Sequence, residues 1–189
     1  MPVTQLRNIY QLKITLIGSK PPIWRRIIVS NDITLDKLHL VIQIAMGWTN
    51  SHLHQFISNN VFYGIKDDDF GFDMDIKNEE EYKLNQLLKS EKDTIKYEYD
   101  FGDSWEHNVL LEKILPFKTD HKSPCCTKGK RACPPEDCGG IWGYEDLIDI
   151  INNAEHPEYE SMMEWLGSEF NSEAFDIEQI NETLSKYAR

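Results

Sequence analysis

The chain has 189 residues and a formal net charge of −12, with 40% hydrophobic and 11% aromatic residues. This composition supports a hydrophobic core, which excludes disorder as the main state, and the length suits one domain over residues 1–189. The net negative charge excludes a generic nucleic-acid-binding surface. The N-terminus lacks the apolar stretch of a signal peptide and no apolar run could span a bilayer, so we expect a cytoplasmic protein with no membrane partner.

The first half of the chain predicts two strands and a helix. Residues 9–17 alternate in hydrophobicity as a half-buried strand does, and residues 24–29 are typical of a second strand. Apolar residues then follow helical spacing over residues 35–46. Thr34 is placed to cap this helix and Gly47 to end it.

Hairpins and then helices are predicted for the rest of the chain. Strand-like runs at residues 52–57 and 61–65 predict one hairpin, and runs at residues 94–100 and 105–115 predict another. The Pro-, Gly- and Cys-rich stretch 116–143 is expected to be irregular, and three amphipathic helices follow it. Strands early and helices late indicate an α+β fold with an antiparallel or mixed sheet, one early helix and a helical C-terminal third.

Four tryptophans stand within apolar periodic segments or beside turns that close them. Such positions are typical of core aromatic residues, because a large ring contributes much apolar area when it is buried. We therefore expect four buried indole rings, at Trp24, Trp48, Trp105 and Trp165.

All four cysteines lie close together in the segment that was expected to be irregular. Cys126, Cys133 and Cys138 have the spacing C-x6-C-x4-C. A reducing compartment favours metal binding over disulfides for such a cluster, and zinc needs four N or S ligands. Reduced structural thiols in an ordered loop are the alternative. The candidates for a fourth zinc ligand are Cys125, His107 and His121.

Two hairpin segments carry further candidate ligands. Asp100, Asp103 and His107 crowd one hairpin end, where they could bind a metal or transfer protons, although Asp is also common in tight turns. His52 and His54 are two residues apart on a predicted strand, so both point to one face, as a metal-ligand pair does. Two polar residues on the solvated face of a sheet would have the same spacing.

Basic residues concentrate in two segments of this acidic chain. Residues 1–66 carry seven Lys or Arg and only two Asp or Glu, and the segments 20–26 and 118–131 are locally basic. They predict a contact with an anionic surface of a protein or nucleic acid. Trp24 in the core with Arg25 and Arg26 in ion pairs is the alternative for the first segment. No phosphate-binding Gly loop is present, so no nucleotide cofactor is expected.

Several of these segments together resemble one protein family, the plasmid pRiA4b ORF-3-like proteins. The resemblance covers nearly the whole chain and departs from the family pattern at Cys125, since Cys126 matches the family's cysteine before Gly129. It implies occurrence on plasmids, near mobile elements and in chromosomes, and it implies no established activity. The main matching motifs are Pro21-Pro-Ile-Trp-Arg-Arg26, Met46-Gly-Trp48, His52-Leu-His-Gln-Phe56, Tyr99-Asp-Phe-Gly-Asp-Ser-Trp-Glu-His107 and Ala132-Cys-Pro-Pro-Glu-Asp-Cys-Gly-Gly140.

Two functional classes remain open. A binding or interaction module, stabilised by zinc, is favoured because no complete catalytic constellation is visible in the sequence. The alternative is a metal-dependent hydrolase or nuclease. Distances between the side chains distinguish the two, because an enzyme would need the histidine pair within ligand reach of His107 or Asp103. The residues of the enzyme alternative are His52, His54, Asp100, Asp103 and His107.

Overall fold

An eight-stranded mixed sheet organises the protein in the computed structural model, which describes residues 8–66, 76–117 and 123–187. The strand order is β5-β4-β3-β6-β7-β1-β2-β8. Among the described strands, β4 and β5 run parallel and the other neighbouring pairs are antiparallel. The strands are β1 (Asn8–Leu16), β2 (Trp24–Ser30), β3 (His54–Ser58), β4 (Val61–Gly64), β5 (Ile76–Asn78), β6 (Thr94–Tyr99), β7 (Trp105–Pro116) and β8 (Cys125–Lys130).

Helices cover the sheet and fill the C-terminal third, so the α+β prediction is confirmed. The helices are α1 (Leu35–Met46), α2 (Leu84–Leu87), α3 (Gly140–Ile151), α4 (Tyr159–Leu166) and α5 (Ile177–Tyr187), with a 3-10 turn at Glu79–Glu81. Gly47 ends α1 in a left-handed conformation, as predicted, and donates to Gln43 O at 2.8 Å. Thr34 occupies the N-cap position, but its side chain makes no capping hydrogen bond. None of the helices in the described ranges is long and apolar enough to cross a membrane.

One predicted irregular segment is a strand. Residues 125–130 pair with β2 as β8, because β2 would otherwise present an unpaired edge and because Cys126 is buried there. The far side of β8 is covered by α5, where the Asn181 side chain accepts from Cys126 N at 2.7 Å and donates to Cys126 O at 2.8 Å. The Pro and Gly signals in this segment therefore mark the ends and contacts of a strand rather than an irregular loop.

The core lies between the sheet and the helices, and it holds two of the four tryptophans that were predicted to be buried. Trp48 and Trp105 are buried and Trp24 is half-buried. Trp165 is 48% exposed, so its predicted burial is wrong. The reason is that α4 buries no residue fully and only its other face packs on the core. Most of the buried apolar side chains of the described residues form one cluster. The prediction of one domain over the whole chain stays a prediction.

Candidate functional site

One imidazole and three carboxylates converge where the β6–β7 hairpin turns. His52 Nε2 lies 3.3 Å from Glu136 Oε2, 3.3 Å from Asp137 Oδ1 and 3.7 Å from Asp100 Oδ2. In the described part of the chain, His52, Asp100 and Asp137 form the only group of three or more potential metal ligands within 4.8 Å of one another. We call the four residues together the His–carboxylate site.

Asp100 is positioned by the tight turn that follows β6. Its backbone is left-handed, with φ of 58°, and its N–H donates to Leu53 O at 2.8 Å, which ties the turn to the residue beside His52. Its Oδ1 accepts from the N–H groups of Gly102 at 2.9 Å and Asp103 at 3.4 Å. The other oxygen, Oδ2, is left facing His52.

Glu136 is held in the same way by donors behind it. Its Oε1 accepts from Thr49 N at 2.8 Å and from Thr49 Oγ1 at 3.0 Å. The hydroxyl of Tyr99 donates to Glu136 and itself accepts from Ser51 N at 2.9 Å. Burial, and to a smaller degree the charge of Glu136, raises the pKa of Tyr99 to about 12, so this hydroxyl remains a donor at neutral pH.

The loop that carries Glu136 and Asp137 is fixed at two points. Trp48 Nε1 donates to Pro134 O at 3.1 Å, and Gly139 N donates to Asp103 Oδ2 at 3.1 Å. Asp103 therefore braces the loop and does not face His52. Asp137 also has a left-handed backbone, with φ of 57°, and its side chain is 70% exposed. Sequence reasoning missed both acidic residues of this loop, because the segment was interpreted through its cysteines.

The geometry around His52 matches a shared cation better than a set of hydrogen bonds. His52 Nε2 is buried and makes no hydrogen bond, although two carboxylate oxygens lie 3.3 Å away. Ligands that each lie about 2.1 Å from one tetrahedral ion are roughly 3.4 Å apart. The separations of 3.3 to 3.7 Å from His52 Nε2 suit ligands of one ion, and the ligand atoms of His52, Asp100 and Asp137 all lie within 4.8 Å of one another. Donors behind two of the carboxylates orient them as outer residues do in metal sites.

Comparison with known proteins places the chain in a family. The family described as plasmid pRiA4b ORF-3-like protein matches residues 8–179. The chain belongs to this family. It is 35% identical over 182 residues to the uncharacterized protein y4hQ of Sinorhizobium fredii (strain NBRC 101917 / NGR234), which covers 96% of this chain and 93% of y4hQ.

A crystal structure from Methanosarcina mazei Go1 has the same fold as this pRiA4b ORF-3-like protein. The two chains are 39% identical with a TM-score of 0.83, over 93% of this chain and 97% of the other, which is described as a protein of unknown function. The resemblance found in the sequence motifs is thus confirmed. Both relatives are uncharacterised, so no activity comes with the family membership.

His54 points to the same side of the sheet as His52 but contacts a different carboxylate. The His52 ring lies 5.8 Å from Tyr99 and the His54 ring 6.1 Å from Tyr97, and these tyrosines share one face of β6. His54 Nε2 lies 2.8 Å from Glu79 Oε2, and both side chains are buried. The prediction of one strand for both histidines is wrong at His52, because β3 starts at His54 and His52 lies just before it. Among the described residues, the two histidines share no ligand set.

His107 lies in the core of this pRiA4b ORF-3-like protein and does not reach the site. It is 0% exposed, and its ring meets the Trp48 ring edge-on at 5.2 Å. Burial lowers the pKa of His107 to about 4, and the nearby backbone of Tyr97 and Trp105 only partly offsets this effect. Neither ring nitrogen has a partner in good hydrogen-bond geometry, so the contacts with these two backbone groups are weak. Of the five residues of the enzyme alternative, the structure brings together His52 and Asp100.

The cysteines do not gather round one point. Cys126 on β8 donates from Sγ to Lys128 O at 3.5 Å, and Cys133 and Cys138 pack against the core. Among the residues that the structure describes, no metal-ligand group contains any of the four cysteines or His107. His121 lies outside the described residues. Burial raises the pKa of Cys133 well above its usual value and that of Cys138 to about 12. Zinc at the cysteines stays a prediction.

The two arginines of the basic segment 20–26 make hydrogen bonds within the protein. Arg25 is 2% exposed and donates to four backbone carbonyl groups. Arg26 binds Glu112 with two hydrogen bonds, of 2.5 and 2.8 Å. In the second segment, residues 118–122 lie outside the described residues and Arg131 pairs with Glu173 at 2.7 Å. These contacts favour the structural alternative for Arg25 and Arg26.

Proposed function

We propose that this protein binds a divalent transition-metal ion through His52, Asp100, Glu136 and Asp137. The observation that carries the proposal is the buried Nε2 of His52, which makes no hydrogen bond and faces three carboxylate oxygens at 3.3 to 3.7 Å. Each ligand comes from a turn or loop that the sheet holds in place. Binding would then require little rearrangement, because the ligands are already oriented.

Charge supports the same conclusion. The three carboxylates carry like charges within a small volume, and in the described ranges none of them forms an ion pair with Lys or Arg. A divalent cation would offset this repulsion. One imidazole with carboxylates is a ligand set that suits zinc or manganese, whereas calcium and magnesium prefer oxygen ligands alone.

A metal-dependent hydrolase is the second candidate, favoured by one observation. Asp137 is 70% exposed, so the side of the site that faces solvent is open to a water molecule. A metal-bound water is the usual nucleophile of metallohydrolases. In this reaction class His52 and Asp100 would be ligands, and His54, Asp103 and His107 would have structural roles.

Cobalt titration of chelator-treated protein tests the proposal. Nitrogen and oxygen ligands give weak visible bands, whereas thiolate ligands add strong near-ultraviolet charge-transfer bands. We expect visible bands alone, lost in His52→Gln and Asp137→Asn and retained in the control Glu155→Gln, which changes an exposed carboxylate elsewhere. Charge-transfer bands that disappear in Cys133→Ser would contradict the proposal and move the metal to the cysteines.

Calorimetry with zinc, manganese, magnesium and calcium then identifies the preferred ion. We expect zinc or manganese to bind at least about tenfold more tightly than calcium, because the imidazole favours a transition metal.

We also propose a cytoplasmic location, which the free thiols of Cys126, Cys133 and Cys138 support. Fractionation of expressing cells would test this location.

A further inference from the structure

An apolar groove lies between the loop that carries Glu136 and the C-terminal helices. Its volume is about 450 Å³. Sites for small molecules are mostly apolar clefts of about 300–1,000 Å³ with few polar groups, and the groove fits this description. The apolar side chains that form most of its wall include Met46, Trp48, Pro134, Leu166, Phe170 and Phe175.

The groove meets the His–carboxylate site at one end, through Glu136. Glu136 lines the groove, and its Oε2 lies 3.3 Å from His52 Nε2. Trp48 also lines the groove, and its ring lies 5.0 Å from that of Tyr99, which donates to Glu136. A molecule that fills this end of the groove therefore lies next to the metal ligands.

The groove wall also carries a buried positive charge. Arg25 lines the groove and donates to the carbonyl oxygens of Trp24, Ala45, Lys130 and Arg131, with no carboxylate among its partners. In a low-dielectric surrounding, a positive charge without a counter-ion attracts an anionic group. Asp176, an acidic residue that also lines the groove, already accepts from the N–H groups of Glu178 and Gln179 in the first turn of α5.

We infer that the groove binds a small amphiphilic carboxylate, with its apolar body along the groove and its carboxylate on the metal ion beside Glu136. This inference rests on the metal site proposed above. The metal supplies an open coordination position, the positive potential of Arg25 favours an anionic head group, and the apolar wall favours a hydrocarbon or aryl body. An amine of the same length is protonated at neutral pH, so it offers the metal no lone pair and carries the wrong charge.

Calorimetry of the metal-loaded protein with octanoate, and with octylamine as the matched amine, tests the inference. We expect octanoate to bind at least about tenfold more tightly than octylamine at pH 7, because octylamine is protonated there and its ammonium group has no lone pair free for the metal. Ala174→Trp places an indole in the groove from an exposed position and is expected to weaken octanoate binding at least about tenfold. Ala154→Trp adds the same side chain at an exposed position outside the groove and is the control.

His52→Gln separates the two proposals. If the groove ligand coordinates the metal, this variant loses cobalt binding and octanoate binding together. Octanoate binding that survives in His52→Gln, or that Ala174→Trp leaves unchanged, would overturn the inference. A wild-type protein that binds cobalt but not octanoate would also overturn it and leave the metal site standing. A wild-type protein that binds no cobalt would overturn the metal site as well.

Discussion

The imidazole rings of His39 and His54 stack with their centroids 3.3 Å apart and their planes 3° from parallel. Both rings are buried. His39 contacts the Tyr97 hydroxyl and Asn50 Oδ1, and His54 contacts Glu79. Protons on both rings would place two positive charges face to face in the interior. Burial first, and His54 second, lower the pKa of His39 to about 3, so His39 is neutral in the folded protein near neutral pH.

Stability is expected to fall on acidification because of His39. Its pKa is about 3 when folded and 6.5 when unfolded, so between these values the unfolded chain takes up a proton that the folded one refuses. The free energy of unfolding then decreases by up to about 1.4 kcal/mol per pH unit below pH 6.5. Urea unfolding between pH 7.5 and 4.5 measures this slope. His39→Gln should have a shallower slope, and an equal slope in both proteins would refute the assignment.

The buried ring of His107 makes a second contribution of the same sign. Burial lowers its pKa to about 4, and its two nitrogens have no partner in good hydrogen-bond geometry, so the ring brings poorly satisfied polar atoms into the core. His107→Leu removes these atoms at similar volume and should change stability at pH 7 by less than about 1 kcal/mol or increase it. It should also reduce the acid slope. His107→Ala is the control, because the cavity it leaves should cost about 2–3 kcal/mol.

Gly143 is expected to tolerate no side chain. A Cβ on Gly143 would overlap the carbonyl oxygen of Cys138, so α3 would have to move away from the loop that carries Asp137. We expect Gly143→Ala to lower the free energy of unfolding by about 2 kcal/mol or more and to weaken cobalt binding. Gly167→Ala, at a left-handed position with open space, should cost only about 1 kcal/mol and leave cobalt binding unchanged. Equal effects of the two substitutions would contradict the steric argument.

Arg25 is expected to be irreplaceable by lysine. Its guanidinium joins three parts of the fold, because it donates to Ala45 O at the end of α1, to Trp24 O on β2 and to the carbonyls of Lys130 and Arg131 where β8 ends. Lysine cannot reach all four acceptors, and buried carbonyls left without donors each cost about 1–3 kcal/mol. Denaturant unfolding should show a loss of about 3 kcal/mol or more for Arg25→Lys. Arg26→Lys, at the partly exposed pair with Glu112, should lose less than about 1 kcal/mol.

Local hydrophobic periodicity predicted most of the elements but not their long-range partners. The strands and helices follow periods of 2 and 3.6 residues, and these periods are visible within a short window. The pairing of β8 with β2 joins residues about a hundred positions apart, and nothing within residues 125–130 indicates it. Trp165 has core-like spacing, yet the exposed face of α4 carries it.

Two of the four residues of the His–carboxylate site could be predicted from the sequence, because only these two stand in recognisable local motifs. His52 and Asp100 are recognisable as candidate metal ligands because each stands in a polar hairpin motif. The pairing of β3 with β6 brings the two hairpins together and places these side chains near each other. Glu136 and Asp137 join them only through contacts of their loop with Trp48 and Asp103. The sequence shows that Glu136 and Asp137 are acidic, but it does not show that Trp48, far away in the chain, holds their loop beside His52.

The side-chain amide of Asn181 has a consequence for how the protein behaves in concentrated solution. By giving Cys126 both an acceptor and a donor, it makes the two hydrogen bonds that a ninth strand would make at that position. A ninth strand supplied by another molecule is the first step of edge-to-edge polymerisation. Asn181 and the rest of α5 thus protect the edge strand β8 from pairing with another molecule. A chain that lacks this helix is expected to pair through β8 with other copies of itself and to form fibrous or amorphous aggregates.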